Sequence, residues 1–346
     1  MSQFSRRNFV KSAGLLGFGA FTMSSFNVDN QIDLELQSSV ILPKRLTKGD
    51  LIAVTAPGGA IWNPNDVLKF ESLLKSMGYA VVLGETLKKR HGYLAGTDEE
   101  RVEELHRFFS NPEVRGIICM RGGWGCARLL DKIDFNLIRE NPKIFMGFSD
   151  ITSLLNAFYL KSGLVTFHGL VGVNTWNGFS TDVFQRVVCN GETCDFPKDA
   201  SVVKNYNVIN KGIARGKLFG GNLSVISGIV GSSYFQLPPN SILFLEETNE
   251  EPYVVDRLLT HLRIANVYQN VVGVIFGNCS KCNAENPTES MSTIEVIREH
   301  FSGLNIPVSY GSPIGHIASK WTLPIGIDVE MNAETGSLVM LENAVL

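Results

Sequence analysis

The chain has 346 residues, 44% hydrophobic and 19% charged, with a formal net charge of −3. That composition belongs to a globular protein long enough for two domains and a sizeable core. It excludes a nucleic-acid surface, because no basic cluster exceeds Lys88-Lys89-Arg90, and six cysteines over this length exclude a disulfide scaffold.

Arg6-Arg7 stands before a Gly- and Ala-rich apolar run from Ala13 to Met23. This is the pattern of a twin-arginine export signal over residues 1–26, and it predicts a periplasmic or exported protein. The competing reading is a stray basic pair before a tail. The run is too short for a stable membrane span. No small-x-small cleavage site follows Met23, so removal of the signal stays open; losing Arg6, Arg7 and Lys11 would take the charge from −3 to −6.

Beyond a polar segment, Leu51–Ala56 reads as a buried strand broken by Pro57-Gly58-Gly59. A helix carries Val67, Phe70, Leu73, Leu74 and Met77 and stops at Gly78, and Tyr79–Leu83 is a second strand. Thr97 with Glu100 makes a capping box for a helix whose inner face is Val102, Leu105, Phe108 and Phe109. The third strand, Gly116–Met120, ends in Arg121-Gly122-Gly123-Trp124-Gly125 before a helix from near Cys126. A glycine pair at a strand's carboxyl end can aim backbone N–H groups at an anion or oxyanion, or simply make a turn. It lacks the G-x-G-x-x-G dinucleotide fingerprint.

The stretch Lys143–Tyr159 predicts a short strand, a turn at Ser149, and a helix with Ile151, Leu154, Leu155, Phe158 and Tyr159 on one face. Ser149 followed by Asp150 is either an N-cap or a nucleophile raised on a strand-to-helix elbow. With Leu164–Phe167 as a further strand, the alternation gives an α/β domain with a parallel sheet over residues 45–175. Periodicity fades over 176–210, which reads as a linker, and residues 211–346 form a second, strand-rich domain.

In that domain Gly212–Gly221 predicts a strand and glycine turn, followed by a short apolar helix from Asn222. Ser241–Leu245 runs directly into Glu246-Glu247, and an amphipathic helix follows with Val254, Val255, Leu258, Leu259 and Leu262. Val271–Phe276 is a strand leading to a polar loop with Cys279 and Cys282. That pair has redox or half-zinc-site spacing without a second pair to complete a metal site, so it predicts a loop pair open to oxidation after export. After a helix at Thr293–Phe301, a strand from Pro307 ends at His316, and Trp321–Met331 with Gly336–Leu341 predicts a hairpin.

Three polar residues thus sit at strand ends: Ser149, a glutamate at 246 or 247, and His316. A serine nucleophile needs an imidazole base, and the imidazole needs a carboxylate on its other nitrogen. The order Ser, Glu, His is one that delivers this geometry. His168, beside Gly169 at another strand end, is a rival base.

Arg121-Gly-Gly-Trp-Gly, Gly147-Phe-Ser-Asp150, His168-Gly169, Gly216-Lys-Leu-Phe-Gly-Gly-Asn222, Leu243-Phe-Leu-Glu-Glu247, Pro313-Ile-Gly-His316 and Thr322-Leu-Pro-Ile-Gly326 together resemble the LD-carboxypeptidase family, which includes the microcin-immunity hydrolases. The resemblance implies a flavodoxin- or Rossmann-like N-terminal parallel-sheet domain, a C-terminal strand-rich α/β domain and a homodimer. It also implies nucleophile Ser149, carboxylate Glu246, base His316 and oxyanion donors at the amides of Gly123, with Gly122 as alternative, and Asp150. No metal or organic cofactor is implied; the implied substrate is a murein peptide losing its terminal D-alanine.

Arg121 is a candidate for the substrate carboxylate, against a plain surface salt bridge, and Trp124 and Asn222 are candidate substrate contacts. Trp124 stands where the family more often has tyrosine, Pro57-Gly58-Gly59 lacks a common serine, and Leu170 replaces a common proline. The export signal also departs from a family that works mainly in the cytoplasm. Peptide-nucleotide or acyl-amide hydrolysis of the microcin-immunity type is one alternative function. A non-catalytic exported solute-binding protein is another, and it predicts no labelling by a serine reagent.

Overall fold

The computed structural model describes residues 40–198 and 206–346. The export-signal reading falls outside these residues. Five parallel strands form most of the first sheet: β1 (Leu51–Thr55), β2 (Ala80–Leu83), β3 (Val114–Cys119), β4 (Ile144–Gly147) and β5 (Thr166–His168). Their spatial order is β2-β1-β3-β4-β5. Helices α1 (Pro64–Ser76), α2 (Asp98–Ser110), α3 (Phe135–Glu140) and α4 (Thr152–Ser162) connect them.

Local chemistry starts these helices as expected. Asn63 caps α1 ahead of Pro64 at the first turn, and Thr97 and Glu100 close a reciprocal capping box on α2.

Residues expected to form a linker contain helix α5 (Gly178–Phe184) and a wide turn at Gln185–Asn190 that buries Val183, Phe184, Val187 and Val188. A seven-stranded sheet follows, from β6 (Asn207–Asn210), β7 (Ile213–Asn222), β8 (Ser241–Thr248), β9 (Val271–Ser280), β10 (Val308–Tyr310), β12 (Asp328–Asn332) and β13 (Ser337–Met340). Its order is β13-β12-β7-β8-β9-β10-β6, with β7 through β10 parallel. Helices α6 (Leu223–Ile229), α7 (Pro252–Ile264) and α8 (Thr293–Phe301) belong to this half. The result is a mixed α/β, two-sheet architecture.

Two expectations give way here. The expected hairpin around Asn332–Thr335 forms between β12 and β13, but Trp321–Met331 is not a single arm of it: β11 (Leu323–Ile325) pairs antiparallel with β5 in the first sheet, while β12 pairs with β7 and β13 in the second. The chain crosses between sheets through Gly326 at φ +89°, a conformation that glycine adopts freely. No helix starts near Cys126; a single 3-10 turn, Ala127–Leu129, stands there.

Helix α4 lies between the sheets. Leu154, Leu155 and Phe158 are buried as expected, but so are Thr152, Ser153, Asn156 and Ser162. The polar side of α4 therefore faces the second sheet rather than water. Asn156 donates to the carbonyl of Gly220 at 3.0 Å, and the Thr152 hydroxyl accepts from the Asn222 amide at 3.1 Å.

Candidate active site

Strand β4 ends at Gly147, and Ser149 follows with φ +62°. A non-glycine residue in that region is held against its own preference, as in a nucleophile elbow. The capping alternative fails. The 3-10 turn Ser149–Ile151 and helix α4 behind it both lack a side-chain cap, and the Ser149 hydroxyl instead lies 3.2 Å from Nε2 of His316.

His316 Nδ1 stands 2.8 Å from Oε2 of Glu246. A carboxylate on Nδ1 keeps the proton there and leaves the Nε2 lone pair facing the serine O–H. The imidazole also packs on Phe148, with centroids 4.8 Å apart, and its backbone carbonyl accepts from Ser280 Oγ at 3.0 Å.

The two glutamates at the end of β8 separate cleanly. The pairing of β8 with β9 shifts register between Leu245 and Glu247, which lets two successive side chains both point inward. Glu246 is fully buried on His316. Burial pushes its pKa up, but the His316 bond and the neighbouring imidazoles hold the net value below the ordinary carboxylate range. Glu247 accepts from Asn222 Nδ2, Thr248 N, and both Ser224 N and Oγ. It anchors the start of α6, and burial raises its pKa.

The glycine turn after β3 closes against the elbow. Gly59 N donates to the Gly122 carbonyl at 2.9 Å. A Cβ at Gly122 would lie 2.8 Å from Ser149 Cβ and 3.0 Å from the Asp150 amide nitrogen, and Gly123 takes φ +98°. The first amide bond of the 3-10 turn is Ile151 N to Phe148 O at 3.3 Å. The Asp150 N–H therefore precedes the ladder, in the place where a helix end offers its donors. The Asp150 carboxylate accepts from Cys126 N at 2.9 Å, tying elbow to glycine turn. Its pKa is raised by burial, against that bond.

Arg101 was not foreseen. It is fully buried, donates through Nη1 to Pro57 O at 2.6 Å and Gly125 O at 3.0 Å, and pairs with Asp98 at 2.5 Å. It thereby clamps the two glycine loops that border Ser149. The spacing of Asp98 and Arg101 on one helix face is its only trace in the sequence.

The other expected residues divide. His168 is buried, lies edge-on to Phe148 and Phe244, and has its pKa lowered to about 4 by burial. The serine hydroxyl bonds His316 instead, so the rival-base reading falls. Arg121 forms no ion pair among the described residues; its Nη1 donates to Ala60 O at 3.1 Å. The salt-bridge reading of it is therefore corrected. Trp124 is 58% exposed and packs edge-on to Tyr93.

Asn222 is held within the fold. It is 4% exposed, its Oδ1 caps α6 on Val225 N, and its Nδ2 donates to Glu247. Cys279 lies inside β9 rather than in a loop, and both it and Cys282 are free thiols.

Comparison with known proteins identifies the family. Residues 52–169 match the LD-carboxypeptidase N-terminal domain and residues 215–331 its C-terminal domain. The chain is 33% identical over 306 residues to a probable murein peptide carboxypeptidase of Bacillus subtilis, covering 86% of this chain and 93% of that one. Among solved structures, the microcin C7 self-immunity protein MccF of Escherichia coli superposes with a TM-score of 0.81 at 25% identity, over 88% of this chain and all of that one. The muramoyltetrapeptide carboxypeptidase of Oxalobacter formigenes gives 0.71 at 27% identity, over 84% and 97%. The chain belongs to the LD-carboxypeptidase family.

Proposed function

We propose that the protein is an exported serine LD-carboxypeptidase that removes the terminal D-alanine from murein tetrapeptides through an acyl-enzyme. The observation that carries this reading is the hydrogen-bonded line from Ser149, strained on its elbow, through His316 to buried Glu246. His316 takes the Ser149 proton as Oγ attacks the carbonyl carbon, and Glu246 stabilises the imidazolium. The amides of Gly123 and Asp150 receive the developing oxyanion. His316 then gives the proton to the departing D-alanine nitrogen, and water, activated by the same imidazole, releases the shortened peptide. Arg121 and Trp124, on the glycine turn after β3, are the candidates to meet the terminal carboxylate and the peptide stem. A homodimer is the family expectation.

The test is incubation with purified muropeptides and mass spectrometry for loss of one alanine, with Ser149→Ala as control. Alanine loss at an unchanged rate in the variant would overturn the assignment.

The superposition on MccF supports a second reading, cleavage of a peptide-nucleotide or related acyl amide. Supplying such a conjugate in the same assay separates the two. Turnover of the conjugate with no alanine loss from muropeptides would favour the second. Absence of a Ser149 adduct with a serine-directed reagent would remove both.

A further inference from the structure

Arg101 is fully buried and takes no part in the proposed proton transfers. Its guanidinium donates from Nε to Thr97 O at 3.3 Å, from Nη2 to Asp98, and from Nη1 to both Pro57 O at 2.6 Å and Gly125 O at 3.0 Å. Among the described residues these are its bonds, and none runs to Ser149, Glu246 or His316. One nitrogen thus joins the loop after β1 to the loop after β3. A planar guanidinium can serve several acceptors at once in a fixed fork, which an ammonium on a flexible stem cannot. Asp98 pins its far side and is itself held by Nε and Nη2 of Arg128.

The two carbonyls lead to the oxyanion donors. Gly125 O and Cys126 N are the two ends of one peptide group: Arg101 grips the carbonyl, and the N–H donates to Asp150 Oδ2 at 2.9 Å. Gly122 O and Gly123 N belong to another, whose carbonyl accepts from Gly59 N at 2.9 Å. A trans peptide points its C=O and N–H in opposite directions, so that bond aims the Gly123 N–H away from the loop of Pro57, Gly58 and Gly59. The place of this loop is set in turn by Pro57 O on Arg101. The glycines cannot fix these planes by themselves. Gly123 and Gly125 take φ of +98° and +95°, and glycine moves readily among such conformations. A side chain has no room to do it either, since a Cβ on Gly123 would lie 2.7 Å from Gly59 Cα, and one on Gly58 would lie 2.6 Å from Gly122 O.

We propose that Arg101 is a positioning residue for the oxyanion hole: through the Pro57 and Gly125 carbonyls it holds the N–H groups of Gly123 and Asp150 in the arrangement that receives the oxyanion. This rests on the triad reading above. Without the guanidinium, two buried carbonyls lose a donor and the glycine turn is free to rotate its peptide planes, while the Ser149–His316–Glu246 line keeps all its bonds. The loss therefore falls on stabilisation of the transition state, not on the base and not on ground-state binding.

The experiment is Ser149 labelling by a fluorophosphonate in the full-length protein, its Arg101→Met, Arg101→Lys and Asp98→Asn variants, the double variant Arg101→Met with Asp98→Asn, and Ser149→Ala. The maximal rate kinact is separated from the binding constant KI and followed from pH 5 to 9. Attack by Oγ on phosphorus expels fluoride, passes the serine proton to His316 and leaves a phosphonyl oxygen in the place of the oxyanion, so kinact reports the donors without requiring the natural substrate. In Arg101→Met kinact should fall by about 10²-fold, the scale of losing one oxyanion donor, with KI and the acid limb of the profile unmoved. Arg101→Lys should fall in the same direction, and Asp98→Asn, which releases the far side of the guanidinium, by less. Adding Asp98→Asn to Arg101→Met should change kinact no further, because both act through one group. If Arg101→Met does not fold, Arg101→Lys carries the same prediction, and if neither folds, the fall in Asp98→Asn at constant KI decides. A folded variant whose kinact stays at the parent value, or falls only with a moved acid limb, would overturn the proposal and leave Arg101 a packing residue. Labelling of Ser149→Ala at the parent rate would instead overturn the triad itself.

Discussion

At Glu246 charge and shape can be separated. Glu246→Gln preserves volume and a hydrogen bond to His316 but removes the charge that stabilises the imidazolium in the proposed reaction. Its turnover of muropeptides should fall by about 10³-fold or more with the thermal midpoint little changed. A variant within tenfold of the parent would mean that the carboxylate serves packing alone. This residue, with Ser149 and His316, was readable from the chain because polar groups at the tips of apolar strands have few structural reasons to be there. Which of the two glutamates faces the histidine was not readable from the residues alone, since a register shift between β8 and β9 decides it. Nor was the clamp by Arg101, whose acceptors are backbone carbonyls 44 and 24 residues away. The capping role of Asn222 was not readable either, because a buried helix cap and a substrate-binding amide use the same residue type.

Among the elements, the crossing from β11 to β12 is the most constrained. A Cβ at Gly326 would lie 1.9 Å from the Tyr159 ring on α4, at a φ of +89°. Gly326→Ala therefore combines overpacking with an unfavourable backbone, and should cost about 2–4 kcal/mol in urea unfolding. Gly303 has open space around it and no such backbone demand. Gly303→Ala should stay within about 0.5 kcal/mol of the parent. Equal effects at the two sites would refute the packing argument. The strands and most helices were legible from their periodicity and caps, but the division of Trp321–Met331 between two sheets was not. Both halves look like strand, and only the partner strands, β5 and β7, distinguish them. Helix α4 was read as one-faced for a related reason: its Thr, Ser and Asn residues resemble a wet face until the second sheet covers them.

For the whole molecule, the site exists only where the two sheets meet, since Ser149 rides on the first while Glu246 ends a strand of the second and His316 follows one. Three joints hold that meeting in place. Strand β11 completes the first sheet although it lies between segments of the second half. Asn156 on α4 bonds Gly220 of β7. Leu346 exchanges backbone bonds with Pro43 and Arg45, linking the last residue to the entry of the first sheet. The buried apolar residues of both sheets also form one continuous cluster, from Leu46 to Val345. Separating the halves would strip β5 of its edge partner and expose both sides of α4, so neither half can open far without the other losing its core. Calorimetry should accordingly show one unfolding transition, with matching van't Hoff and calorimetric enthalpies. Fluorophosphonate reactivity of Ser149 should be lost at the same temperature. Two resolved transitions, or reactivity lost well below a single one, would show that the sheets move independently and that the triad geometry is not secured by the fold.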